Sequence, residues 1–367
     1  MNKLGFIALE SAEHLACRIE TLLSQWHDGE QVRIPVSCPR FSSGEAKGIL
    51  GESIRDQDLY ILVDVCNNSL TYKMNGEPNR MSPDDHYQDL KRVIAACNGQ
   101  AARLTVIMPF LYEGRQHRKT ARESLDCAVM LRELENMGVR RIITFDAHDP
   151  RMQNVVPLTD LENVSPALQF AQALLTENED LRLDGDHLMF IAPDEGATGR
   201  VVFLATLFGV NIGMFYKRRD YTRIVDGTNP IIAHDFCGGS VAGMDVVVVD
   251  DMIASGGSML DVARQLKERG AGRVFLFSTF GLFTGGLKKF DRAYAEGTFD
   301  RIYTTDLVYQ TPELLEREYY SSVGMARYIS ALIDTLHRGD SISGLVRPEG
   351  RIREMIELYE KNRTVMA

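Results

Sequence analysis

Six cysteines, Cys17, Cys38, Cys66, Cys97, Cys127 and Cys237, are scattered along 367 residues without one C-x-x-C pair. That spacing indicates neither a zinc site nor a disulfide framework, and most of the thiols are expected in the core. No apolar run approaches the ~18 residues that a membrane-spanning helix needs. Met1-Asn2-Lys3-Leu4 lacks the pattern of a secretory leader, so a cytoplasmic enzyme is expected. Internal repeats and low-complexity tracts are missing too. There is no excess of positive charge: the net charge of -10 disfavours nonspecific nucleic-acid binding, although a local basic cluster can still serve phosphates. What is present is typical of soluble globular chains, with 44% hydrophobic and 25% charged residues over a length sufficient for two ordinary domains.

Short apolar stretches recur, each followed by helical periodicity. They predict strands at Leu4 to Ala8, Leu59 to Val65, Leu104 to Pro109, Arg141 to Phe145, Leu188 to Ile191, Asn211 to Tyr216, Val246 to Val249 and Val274 to Ser278. Such alternation gives parallel sheets flanked by helices, and the number of strands suits two α/β domains better than one large sheet. The boundaries are expected at 1–163, 164–335 and 336–367. The last segment is read as an extension whose amphipathic helix, with Ile352, Met355, Ile356 and Leu358-Tyr359, packs on the body. Two long stretches, Asn67 to His86 and Arg218 to Gly243, are read as loops, and loops of that length are usually functional or mobile.

One segment carries the most chemistry, Asp245-Val246-Val247-Val248-Val249-Asp250-Asp251-Met252-Ile253-Ala254-Ser255-Gly256-Gly257-Ser258. Four β-branched residues read as a strand covered on both faces. Ser255 to Ser258 form a tight turn, and from Met259 the spacing is helical, with Met259, Val262, Ala263 and Leu266 on one face and Gly270 at the C-terminal cap. Unpartnered N–H groups and the dipole at the start of that helix favour an anion, and Gly256 and Gly257 admit a phosphate closely. Asp250 and Asp251 lie at the carboxyl end of the strand, where ligands bind in open α/β sheets, and suit sugar hydroxyls. Adjacent strand residues point to opposite faces, so one carboxylate is expected toward the ligand or its metal and the other toward the loop.

Four further segments fit a nucleotide and sugar phosphate site. Tyr112-Glu113-Gly114-Arg115-Gln116-His117-Arg118-Lys119 places three cations within five residues of an acidic protein. Asp146-Ala147-His148 and Pro193-Asp194-Glu195-Gly196 each follow a strand, the second with Arg200 on the next helix. Lys217-Arg218-Arg219 opens the longer loop. Taken in order with the Asp250-Asp251 motif, these segments resemble the ribose-phosphate pyrophosphokinase, or PRPP synthetase, family. The resemblance starts near Phe41-Ser42-Ser43-Gly44-Glu45, continues through Glu52-Ser53-Ile54-Arg55-Asp56, and reaches Thr304-Thr305-Asp306 and Ser341-Ile342-Ser343, most of the chain.

The resemblance implies two tandem type I phosphoribosyltransferase-like domains, and transfer of the β,γ-diphosphoryl group of ATP to the 1-hydroxyl of ribose 5-phosphate. It implies that Arg115 and Gln116 hold ATP, with Phe41 and Glu45 supplied by an adjacent subunit. His148 and Asp194 would hold Mg2+. Asp250 and Asp251 would bind the ribose, Ser255, Gly256, Gly257 and Ser258 its 5-phosphate, and Lys217 and Arg219 would close over the diphosphate. A homo-oligomer, dimer or hexamer, is implied, with neither nucleic acid nor membrane as partner.

The sequence departs from the family where it has Ser43 and His117 for Asp, Ala254-Ser255 for Asp-Thr, and Phe280 for His. Ser43, His117 and Ala254 motivate a second reading, a noncatalytic, nucleotide-binding regulatory subunit, while the Asp250-Asp251 motif by itself supports a third, a transferase that consumes PRPP. The second α/β domain, with its own Arg115 and His148 segments, argues against the transferase.

Overall fold

The computed structural model describes residues 2–219 and 231–366, with 217–219, 231–234 and 364–366 described as backbone only. The chain forms two compact units, one of Met1–Pro166, Asp306–Tyr309 and Gly324–Val346, the other of Ala167–Thr305, Gln310–Val323 and Arg347–Ala367. Each has a parallel or mainly parallel sheet, and all eight expected strands are present.

The first unit begins with β1 (Leu4–Ala8), α1 (Glu13–Trp26), the short ribbon β2 (Val36–Ser37) and β3 (Ile49–Leu50), and β4 (Asp58–Leu62). A hairpin of β5 (Thr71–Met74) and β6 (Glu77–Arg80) precedes α2 (Pro83–Cys97), β7 (Arg103–Ile107), α3 (Asp126–Asn136), β8 (Arg141–Phe145) and β9 (Asp160–Val164). The sheet order is β1-β4-β7-β8-β9, every pair parallel. β1 and β4 are buried along their whole length, as strands covered on both faces must be.

The stretch Asn67 to His86 is therefore not the long loop expected. Asn75 and Gly76 both adopt positive φ, 52° and 89°, the conformation of a two-residue turn whose twist matches its flanking strands. Ser82 and Asp85 then close a capping box, and Pro83 opens α2.

The second unit contains α4 (Ala167–Glu177), β10 (Leu188–Ala192), α5 (Thr198–Phe208), β11 (Asn211–Arg219), β12 (Ile231–Cys237), β13 (Asp245–Ile253), α6 (Gly257–Glu268) and β14 (Val274–Gly281). It continues with α7 (Lys288–Ala295), β15 (Arg301–Thr305), α8 (Pro312–Leu315) and β16 (Tyr320–Val323). The order β12-β11-β10-β13-β14-β15-β16 is parallel except for the β11–β12 pair. The loop expected from Arg218 to Gly243 is thus corrected: β11 runs on to Arg219 and β12 pairs back along it, while 220–230 lie outside the described residues.

After β16 the chain re-enters the first unit as α9 (Ala326–His337), which lies along α1, and α10 (Ser343–Val346). His337 Nδ1 lies 2.9 Å from the buried Asp58 carboxylate, which the Arg103 guanidinium also grips at 2.9 and 2.7 Å. The final helix, α11 (Glu349–Met366), packs on α4 and α5 in the second unit through Ile352 and Ile356. Leu358, expected on the same face, is exposed. Nor are most cysteines in the core: Cys97 and Cys127 are buried, Cys38 and Cys66 intermediate, Cys17 and Cys237 exposed. No helix among the described residues is long and apolar enough to cross a membrane.

Asp64, just past β4, is buried and accepts hydrogen bonds from the Cys66 and Tyr309 N–H groups at 2.8 and 2.7 Å. Burial outweighs those donors and pushes its carboxyl up to about 7. The folded protein therefore keeps a proton that the unfolded chain releases near pH ~4. The stabilisation is full below that pH and is lost as pH rises through about 7. The Asp64→Asn variant, followed by thermal unfolding from pH 5 to 8, is expected to lose this part of the decline. An unchanged slope would rule Asp64 out as its source. Comparing variant with wild type separates Asp64 from His14, which burial pushes down to about 4 and which acts in the opposite sense.

Candidate active site

In the second unit, β13 lies between β10 and β14, so the carboxyl ends of β10 and β13 are neighbours. The strand extends past the acidic pair to Ile253, longer than the sequence suggested, with Met252 in register with Phe280. Asp194, at the end of β10, accepts the N–H groups of Gly196 and Ala197 at 3.0 and 3.3 Å, which turns the chain into α5. Asp251 is buried, and its carboxylate lies 3.8 Å from the Arg200 guanidinium on α5. Its N–H donates to Asp250 Oδ1 at 2.9 Å.

This crowding has an electrostatic cost. Burial first, then the charges of Asp251 and Asp194, holds the Asp250 carboxyl well above the usual carboxylate range, against the opposing pull of the Asp251 N–H and Arg200. A site with surplus negative charge of this kind is suited to a divalent cation with oxygen ligands.

The following turn is built on an aromatic floor. Gly256 has φ +79°, and a Cβ placed there would lie 2.1 Å from Cζ of Phe290, a buried residue of α7. Phe283 packs edge-on against Phe290 at 5.0 Å, and the Thr284 N–H donates to Ala254 O at 3.0 Å, so the loop after β14 buttresses the turn. Helix α6 starts at Gly257, two residues earlier than the sequence indicated. Ser255, Gly257 and Ser258 are exposed, and the first N–H groups of α6, which have no acceptor within the helix, are free to face an anion there. Met259, Val262, Ala263 and Leu266 are buried as expected, and Gly270 follows the helix with φ +85°. Phe290 escaped the sequence reading because no local pattern ties it to Gly256.

The first unit carries the other segments. Arg115 is exposed, whereas Gln116 is partly spent on structure: its Oε1 accepts the Asp126 N–H at the start of α3 at 3.1 Å. Glu113 takes a left-handed φ of 56°, and the Tyr112 hydroxyl donates to Asp84 of α2 at 2.6 Å. His148 is exposed beyond β8. His117 has its ring 5.4 Å from that of His148 and its Nε2 3.6 Å from Asp149. The Arg151 guanidinium holds the Asp149 carboxyl down to about 2. Phe41 is 53% exposed, and Ser43 donates to the Glu45 carboxylate at 2.9 Å. Lys217 and Arg219 lie at the end of β11, with side chains outside the described residues. Phe280 is buried within β14.

Comparison with known proteins agrees with this architecture. Residues 4–138 match the model of the N-terminal domain of ribose phosphate pyrophosphokinase, and residues 161–317 match the phosphoribosyl transferase domain. A crystal structure of phosphoribosylpyrophosphate synthetase from Mycobacterium smegmatis superposes with a TM-score of 0.75 over 92% of this chain and 99% of that one, at 19% identity, a likeness of fold. The fold is therefore that of tandem phosphoribosyltransferase-like domains. Ribose-phosphate pyrophosphokinases of Ralstonia nicotianae and Vibrio parahaemolyticus are each 28% identical, over 83% and 84% of this chain and 88% and 90% of theirs. The chain belongs to the ribose-phosphate pyrophosphokinase family, as a divergent member.

Proposed function

We propose that this protein is a ribose-phosphate diphosphokinase, converting ATP and ribose 5-phosphate into PRPP and AMP. The observation that carries the reading is the second unit's strand end, where Asp250 and Asp251 lead directly into a turn fixed by a left-handed Gly256 at the start of α6. That arrangement offers carboxylates to sugar hydroxyls and N–H groups to the 5-phosphate in one short segment.

The reaction joins the ribose 1-oxygen to the β-phosphorus of ATP and breaks the α,β bridge, with AMP as leaving group. Such chemistry needs alignment and charge neutralisation more than a covalent intermediate. In this reading Ser255, Gly256, Gly257 and Ser258 anchor the 5-phosphate, and Asp250 and Asp251 orient the ribose hydroxyls. Arg115 and Gln116 hold ATP together with Phe41 and Glu45 from an adjacent subunit, while Lys217 and Arg219 neutralise the diphosphate being transferred. Among the described residues no three His, Cys, Asp or Glu side chains form a ready metal cage. That is compatible with Mg2+, which usually retains waters and takes substrate phosphates as ligands. His148 and Asp194 would hold it, the surplus charge around Asp250 favours it, and when bound it would neutralise phosphate oxygens. The protein acts, in the same reading, as a cytoplasmic homo-oligomer, a dimer or hexamer.

Purified protein with magnesium, ATP and ribose 5-phosphate is expected to give AMP and PRPP in equal amounts, followed by phosphorus NMR. Binding of both substrates with no turnover, and activation of a copurifying synthetase instead, would point to the regulatory subunit. Ser43, His117 and Ala254, the departures from the expected family pattern, favour that second reading, and the His117 imidazole faces Asp149 at 3.6 Å.

A further inference from the structure

The hairpin β5–β6 is exposed at most of its positions, and Tyr72 and Met74 on one of its faces meet a short turn and its base. That turn, Phe41 to Glu45, is closed by the Phe41 N–H on Glu45 O at 2.7 Å and the Gly44 N–H on Phe41 O at 2.9 Å. From outside, the Asn75 N–H at the hairpin tip donates to Ser42 O at 2.8 Å. Met74 packs where a Cβ on Gly44 would come within 2.8 Å of its sulfur. At the base of the turn, the Arg40 guanidinium lies 4.8 Å from the centre of the Tyr72 ring and forks onto Asp89 of α2 at 2.6 and 2.9 Å. The Tyr72 hydroxyl donates to Asp85 on the first turn of α2 at 3.3 Å. The turn is thus held between hairpin and helix, while the Phe41 ring itself stays exposed.

We propose that the hairpin Thr71–Arg80 is the positioning element for the Phe41–Glu45 turn, with Tyr72 and Met74 as positioning residues that set the affinity for the adenine nucleotide. The inference rests on the reading of Phe41 and Glu45 as nucleotide contacts. A five-residue turn with a glycine at φ +94° has many conformations open to it, and freezing them on binding weakens affinity. The hairpin removes that cost beforehand by holding the backbone at Ser42 and filling the space over Gly44. The same first turn of α2 also holds Tyr112 through Asp84, next to Arg115 and Gln116, so both nucleotide segments of the chain share one support.

The test replaces Thr71–Arg80 by Asn-Gly in the full-length protein. The Met81 N–H already donates to Leu70 O at 3.0 Å, so these ends are at turn distance, and most residues removed are exposed. Loss of preorganisation is expected to raise both the MgATP dissociation constant, read by calorimetry, and KM for ATP about tenfold. The value of kcat should stay within about threefold and KM for ribose 5-phosphate should not move, a split that a general folding defect would not give. Tyr72→Ala is expected to show part of the effect, and Tyr72→Phe, which keeps the ring beside Arg40, to restore most of the affinity. Phe41→Ala separates the two levels of the argument. If it weakens MgATP binding while the shortened hairpin does not, the role of the hairpin is overturned. If Phe41→Ala binds MgATP like wild type, or wild type does not bind it, the nucleotide reading of the turn falls and the proposal with it.

Discussion

Asp250→Asn is expected to produce a protein that is more stable than wild type without ligand and has lost at least about 100-fold in turnover, the scale seen when a preorganised electrostatic group is removed. The stability gain follows from the sign of the shift. Burial and the neighbouring Asp251 and Asp194 raise the Asp250 carboxyl, so folding favours its neutral form. The unfolded chain releases that proton near pH ~4, and the folded state bears a growing penalty as pH rises through the raised value. An amide mimics the protonated acid and keeps an oxygen for the Asp251 N–H. The advantage of the variant should therefore be larger at pH 8 than at pH 5, read as the difference in thermal midpoint. Equal or lower stability at both pH values would show that the carboxylates are not in conflict. Stability given up at a binding site is a common cost of function.

Gly256→Ala is expected to act in the opposite direction on folding. A left-handed conformation costs a non-glycine residue about 1–2 kcal/mol, and forcing a methyl group into a packed site adds about 1–3 kcal/mol. The nearest atom is Cζ of Phe290 at 2.1 Å, on a buried ring that packs against Phe283, so the floor must move. A loss of roughly 2–5 kcal/mol is expected in denaturant unfolding, out of the ~5–15 kcal/mol that a typical domain has. Ribose 5-phosphate affinity should fall with it, because the turn carries the N–H groups proposed for the phosphate. Adding Phe290→Leu should return the packing share and leave the backbone share, which separates the two causes. Full stability in Gly256→Ala alone would mean that the turn readily adopts another path.

The parts of this molecule that sequence made legible are those where neighbours in the chain are neighbours in space. Val246 to Val249, the acidic pair, the glycine turn and the buried face of α6 form one continuous segment, and its pattern was readable residue by residue. The hairpin was equally local. Its Asn75-Gly76 signal was present, but the polar strands around it, exposed on most positions, lack the apolar alternation that marks a half-buried strand. β9, Asp-Leu-Glu-Asn-Val, is an edge strand whose charges hide it in the same way. Phe290 under Gly256, and the hairpin against Gly44, depend on residues brought together only by the fold. The same holds for the return of the chain after β15, because Asp306–Tyr309 and Gly324–Val346 rejoin the first unit.

That return sets an order of events during synthesis. When residue 166 has left the ribosome, the first sheet is complete, but α9, the helix that lies along α1 and brings His337 to Asp58, does not yet exist. At ~5–20 residues per second the nascent chain must wait on the order of ten to forty seconds for Val346 to be made. Through that interval Asp58 has, among the described residues of the finished segment, only Arg103 as a charged partner, and the side of α1 that α9 covers stays open to water or to a chaperone.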